Sequence, residues 1–200
     1  MAQIKKNEVM EAILAAAFDL FSRKGFSGTT MTEIARTANM TVANLYVYFD
    51  SKLVLFYAIY HPWLLEQLNE LRGEVNKMRS PATKLRRIFT GIWYDLPAKD
   101  HAFSISMVQA LAVVQPGTTR PSDLLVQAEQ YIADMIKECL TPEQLKRFNP
   151  SILSHVIWMA FDGFVVNKLF GDTRDVDQIS ELMVTMILGE KLPVTRKSSK

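Results

Sequence analysis

Two hundred residues contain a single cysteine, Cys139, so no intrachain disulfide can form and a reducing compartment is the natural setting. The three histidines are scattered at 61, 101 and 155, and none has a glutamate three positions before it. That removes the paired Glu-x-x-His pattern of a di-iron bundle, and one thiol is too few for structural zinc. Glycine is sparse, and neither a glycine-rich phosphate loop nor a nucleophile elbow is present. Enzymatic constellations are therefore missing, and no cofactor or metal is expected. Charge of one sign is lacking too: the net charge is +2, and the first 52 residues hold six Lys/Arg against five Asp/Glu. A polyanion site must then come from placement rather than bulk charge. The apolar run after Lys5 and Lys6 is interrupted by Glu11, unlike a signal peptide. The longest uncharged run, His101 to Thr119, contains Gln109, Pro116 and Gly117 and is a poor membrane span. The expectation is a soluble, cytoplasmic chain with no membrane partner.

What is present is helical periodicity. Apolar residues at Met10, Ile13, Leu14, Ala17 and Phe21 form one stripe, and Arg23-Lys24 followed by Gly25 marks a helix end. Thr30 with Glu33 three residues on is a capping box, which starts a second helix at Met31 that buries Ile34 and Ala35. Asn39 is suited to the left-handed conformation of a tight exit. Thr41 then caps a third short helix, TVANLYVYF, and Ser51 a fourth. In the third helix Val42, Leu45 and Phe49 share one face. Ala43, Asn44 and Val47 share the other, with Tyr48 at its margin and Tyr46 nearer the apolar side.

Helix, short helix, tight turn, short helix is the helix-turn-helix arrangement, whose second member lies in the DNA major groove. The segment FSRKGFSGTTMTEIARTANMTVANLYVYFDSK resembles the DNA-binding region of the TetR (tetracycline-repressor) family of bacterial transcription regulators. The resemblance is carried by Phe21, Gly25-Phe26, Thr29-Thr30, Ile34-Ala35, Leu45-Tyr46, Tyr48-Phe49 and Lys52, and covers roughly the first 55 residues. Glycine is common in that family where this chain has Asn39 and Ala43, and Val42 takes a position that is often polar or basic. These departures bear on which DNA sequence is read, not on the fold.

Beyond residue 52 helical patterns continue. A kink or break is expected at His61-Pro62, because proline removes a helix bond. Leu85, Ile88, Phe89 and Ile92 mark a further helix, residues 101–114 another, and Ser122 to Leu140 one more after the breaker-rich QPGTTRPSD. The stretch from Pro150 is uncharged as far as Asp162, which predicts a helix buried on more than one side. A last helix carries Ile179, Leu182, Met183, Met186 and Ile187 on one stripe. Two apolar-rich helices at this end suit the four-helix dimer interface that the resemblance implies, through Val156, Phe164, Ile179, Met183 and Met186. They would equally close one protomer's own core.

The expected architecture is all-α: an N-terminal three-helix head (1–52), a helical bundle for ligand binding and dimerisation (53–190) and a basic, disordered tail (191–200). Thr30 and Thr41, at helix N-termini, can cap, meet phosphate, or do both. Tyr46 and Lys52 are placed for phosphate. Asn44 is the candidate for reading a base, because an amide can bond adenine bidentately. Ala43 and Val47 can meet a thymine methyl, Tyr48 suits either role, and Val42 is counted with the DNA-binding residues. Trp93, Phe103, Met107, His155, Trp158 and Phe161 could line a pocket for an apolar effector or be plain core. The expected partners are a near-palindromic double-stranded operator, a small molecule and a second copy of the chain. The mode that the resemblance implies is repression relieved by the small molecule. A helical dimer working through protein partners, with an accessory DNA-binding head, is the alternative.

Overall fold

The computed structural model describes residues 2–112, 123–172 and 174–189, with side chains from residue 6 onward. The loop expected before residue 123, the basic tail and the Lys5 side chain lie outside them. Eleven α-helices and no strand occur among the described residues. The head consists of α1 (Ala2–Lys24), α2 (Met31–Thr37) and α3 (Val42–Tyr48). After it come α4 (Lys52–Asn76), α5 (Pro81–Thr90), α6 (Leu96–Lys99), α7 (Phe103–Ala112) and α8 (Asp123–Lys137). The chain closes with α9 (Pro142–Arg147), α10 (Pro150–Leu169) and α11 (Val176–Leu188).

Local chemistry accounts for most of the helix starts. Thr30 and Glu33 form the reciprocal capping box, Thr41 accepts from the Asn44 amide, and Ser51 accepts from the Val54 amide. Asn39 takes φ 55° in the exit from α2. One helix was not anticipated: α9, although Thr141 and Gln144 form a second capping box with Pro142 in the first turn.

Two features depart from the expected pattern. The helix does not break at Pro62 but runs through it, with Ile59, Tyr60, Leu64 and Leu68 on both sides of the proline buried. Between α5 and α6 the chain widens into a five-residue π-helical stretch, Gly91–Asp95. Ile92 and Trp93 of this stretch stay buried, so the extra residue is absorbed without losing the core face.

The chain forms two compact units, one of Met1–Gln67 with Pro97–Ala128 and one of Leu68–Leu96 with Glu129–Lys200. The first is centred on an aromatic cluster in which Phe103 meets Phe18, Phe56 and Trp63 edge-on at 5.3 to 5.9 Å. Such edge contacts add about 0.5–1.5 kcal/mol each beyond area burial. In the second, Leu85, Ile88 and Phe89 of α5 pack inside with Val184 and Ile187 of α11. Arg86 ties the same two helices at the surface, reaching Asp177 and Glu181.

Candidate nucleic-acid interface

The head is held together by the turn between α1 and α2. Gly25 ends α1 at φ 68°, where a side chain would be strained. At Gly28 a Cβ would lie 2.5 Å from the Lys24 carbonyl oxygen, so the chain passes too close for any other residue. The Thr29 hydroxyl is buried and donates to the Gly25 and Leu20 carbonyls. The turn is thus a rigid piece that delivers Thr30 to the start of α2.

Leu45 is fully buried and Phe49 nearly so, which anchors α3 by one face. Fully burying a leucine stabilises by roughly 1.5–3 kcal/mol. The opposite face is open: Val47 is 79% exposed and Tyr46 47%, and Thr41, Ala43 and Asn44 are exposed beside them. Val42 and Tyr48 are half-buried at the margins. The structure therefore places Thr41, Ala43, Asn44, Tyr46 and Val47 on one outward surface.

The two helix starts differ electrostatically. At α2 the Glu33 carboxylate accepts from the Thr30 amide and hydroxyl, both at 3.0 Å, and from the Lys24 ammonium at 2.8 Å. The bond from Lys24, then the two from Thr30, hold this carboxyl down to about 2. An ion pair already occupies that helix start, and the Thr30 amide and hydroxyl are engaged there as a cap. At α3 no acidic residue stands in the first turn, and its positive end is open to an anion.

Lys52 differs from its expected place. Its ammonium points inward, donating to the carbonyls of Phe26 at 2.7 Å and Thr29 at 2.9 Å, and it sits 4.2 Å from the centre of the Phe26 ring. Two of its three protons are engaged, and its role here is to clamp the α1–α2 turn. Sequence reasoning passed over Thr32 and Arg36. Both are exposed on α2 and, with Asn39, Met40, Thr41 and Val42, line a shallow groove across the α2–α3 surface. The signal was present, since Thr32 and Arg36 are four apart and lie off the Ile34-Ala35 face.

Residues 13–59 match bacterial regulatory proteins of the tetR family. This segment is similar to the DNA-binding region of that family. The chain is a DNA-binding transcription regulator, and the open face of α3 lies within the matched segment. It is 28% identical over 152 residues to the HTH-type transcriptional regulator RutR of Escherichia coli K12, covering 74% of this chain and 69% of that protein. Its fold matches FadR from Bacillus subtilis in complex with stearoyl-CoA, with a TM-score of 0.62, 12% identity and coverage of 91% and 99% of the two chains. It also matches AibR in complex with isovaleryl coenzyme A and operator DNA, with a TM-score of 0.54, 21% identity and coverage of 89% and 97%.

In the body of the chain the candidate ligand residues fall into separate settings. Phe103 and half-buried Met107 belong to the first unit. Trp93 in the second donates its indole N–H to the Ile157 carbonyl at 3.0 Å and stacks on Phe89 at 4.9 Å. Trp158 and Phe161 are buried against each other at 4.8 Å, and His155 sits at the surface, 2.6 Å from Glu129.

The candidate dimer residues are more open than their apolar character would predict inside one chain. Val156 is 47% exposed and Met186 59%, and Met159, outside the expected set, is 58% exposed. Phe164, Ile179 and Met183 are half-buried, Phe164 resting on Trp93 at 5.3 Å. Contrary to the expectation from its uncharged sequence, α10 is buried on one side only, through Ser154, Ile157, Trp158 and Phe161. It is also the one described helix long and apolar enough by itself to cross a membrane.

Proposed function

We propose that residues 1–52 act as the DNA-reading head and 53–190 as the body of a homodimeric repressor that leaves a near-palindromic operator when a small molecule binds the body. The observation that carries the DNA reading is the α3 face, anchored by Leu45 and Phe49 and open at Asn44, Tyr46 and Val47. Asn44 takes the base-reading role, Ala43 and Val47 meet thymine methyls, and Thr41, Tyr46, Tyr48 and Arg36 hold the backbone.

Dimerisation is supported by the exposed aliphatic stripe on α10 (Ile152, Val156, Met159) together with Leu182 and Met186 on α11. Two heads reading a near-palindromic site need half-sites about 34–36 Å apart, one turn of DNA. Both structural neighbours named above were solved with acyl-coenzyme A thioesters. A ligand with an apolar acyl chain and a polyanionic head is therefore the effector class to test first. An effector of this kind releases DNA only if it binds the DNA-incompetent arrangement more tightly.

The test is selection of duplexes by the purified protein at near-physiological salt, followed by footprinting. A protected two-fold site supports the reading. Enrichment no better than bulk DNA would oppose it.

A further inference from the structure

The buried amide of Phe26, in the turn between α1 and α2, donates to the hydroxyl oxygen of Ser106 at 3.2 Å, across 80 residues of chain. Ser106 lies on α7, outside the DNA-reading pair, and is 1% exposed. A buried N–H needs a partner, so the turn and α7 cannot move independently without leaving this one unmet. One helical turn further on, Gln109 accepts from the Ser27 hydroxyl at 3.3 Å. Together these bonds hold two consecutive residues of the turn from the same face of α7.

We propose that Ser106 is a positioning residue through which α7 sets the Gly25–Thr29 turn, and with it α2 and α3, so that the state of α7 and the binding of DNA are linked. The proposal rests on the reading of α3 as the DNA-contacting helix. The turn is able to pass such a displacement on, because Lys52 ties its Phe26 and Thr29 carbonyls and the Thr29 hydroxyl ties it to Leu20 and Gly25. A shift imposed at Phe26 therefore reaches the α2 cap at Thr30 and is not absorbed between them.

The beginning of α7 supplies the second arrangement that linkage requires. His101 and Ala102 both have left-handed backbones, at φ 51° and 61°, a conformation uncommon for non-glycine residues. They are held there by the buried Asp100 carboxylate, which accepts from the Ala102 amide at 2.8 Å and the Ser104 amide at 3.0 Å. Backbone held in this way persists only while its surroundings enforce it. Release of the Asp100 cap lets both residues return to ordinary φ and carries α7 with them. Because linkage is reciprocal, whatever moves α7 changes DNA affinity, and DNA changes α7.

Hydrogen exchange on the full chain tests this in two arms. In the free protein, Ser106→Ala is expected to speed exchange of the α2 and α3 amides several-fold. The control Ser104→Ala, which removes the hydroxyl bond between α7 and Tyr60 on α4, should leave them unchanged. With a selected duplex bound, wild type should show slowed exchange across 103–112, and Ser106→Ala should lose that response while keeping the protection of α3. Unchanged α2 and α3 exchange in Ser106→Ala, or equal effects of the two serine variants, would overturn the proposal. Gln109→Ala, at an exposed position, repeats the free-protein arm should Ser106→Ala fail to fold, and unchanged Ser27 and Phe26 protection there would overturn it as well. Failure of the wild type to select any duplex would contradict the DNA reading alone, since the first arm needs no DNA.

Discussion

The ammonium of Lys52 lies over the ring of Phe26 and donates to that residue's own carbonyl, 2.7 Å away. One side chain from the first turn of α4 thereby holds the loop that presents α2. Replacing it with methionine keeps most of the apolar stem but leaves two carbonyls without their charged donor. Bonds from a charged group contribute about 1.5–3 kcal/mol, so Lys52→Met should lower the stability of the head by roughly 2 kcal/mol in a urea melt. DNA affinity should fall only as far as folding does. A variant that melts like wild type but loses DNA would return Lys52 to the phosphate role.

Glu33 makes the α1–α2 junction sensitive to acid. Its carboxyl is held down to about 2 by Lys24 and Thr30, below its ordinary value near 4.5. A depressed carboxylate contributes stability that is present above the unfolded value and is lost as pH falls through the folded one. Amide signals of α2 should therefore broaden or vanish between about pH 4.5 and 2. Glu33→Gln should abolish that window and lower stability at neutral pH.

Asp162 works in the opposite sense. The residue keeps contact with solvent, yet enough of its carboxyl is shielded that desolvation raises it to about 6. A raised carboxyl contributes stability present below the unfolded value, near 4, and lost as pH rises through 6. Asp162→Asn should accordingly raise the melting temperature at pH 7.5 and leave it unchanged at pH 4. Equal effects at both pH values would contradict this origin.

The open face of α10 predicts a specific failure of assembly. Met159 is exposed, so Met159→Glu should not disturb the fold of one protomer. In a dimer packed through this face it buries a charge on each side. Sedimentation should then show monomer where wild type is dimeric, with unchanged helix content by circular dichroism. A dimeric variant would move the interface elsewhere.

How much of this was legible from residues depended on range. The caps at Thr30, Thr41 and Ser51 and the left-handed Asn39 were readable, because each is fixed by neighbours within four positions. The inward turn of Lys52 was not, since it depends on carbonyls 23 and 26 residues earlier in the chain. The uncharged α10 gave no polar face to show which side packs inside, so its one-sided burial was missed. In α11 the core side is Ser180, Val184, Thr185 and Ile187, and two of those four are hydroxyl residues that apolar periodicity passes over. The π-helical turn at Gly91–Asp95 has no local signature beyond its glycine. The capping box of α9 at Thr141 and Gln144 is as local a signal as that at Thr30.

The central claim is that α3 reads bases while α2 contributes charge. Binding of a selected duplex and of its single-base variants, titrated across salt concentration for wild type, Asn44→Ala and Arg36→Ala, tests it most directly. Asn44→Ala should lose about 1–3 kcal/mol of discrimination at one base pair of each half-site, with the salt slope unchanged. Arg36→Ala should weaken all sequences alike and reduce the salt slope by about one per protomer. Full discrimination retained by Asn44→Ala, with sequence preference altered instead by Arg36→Ala, would contradict the account.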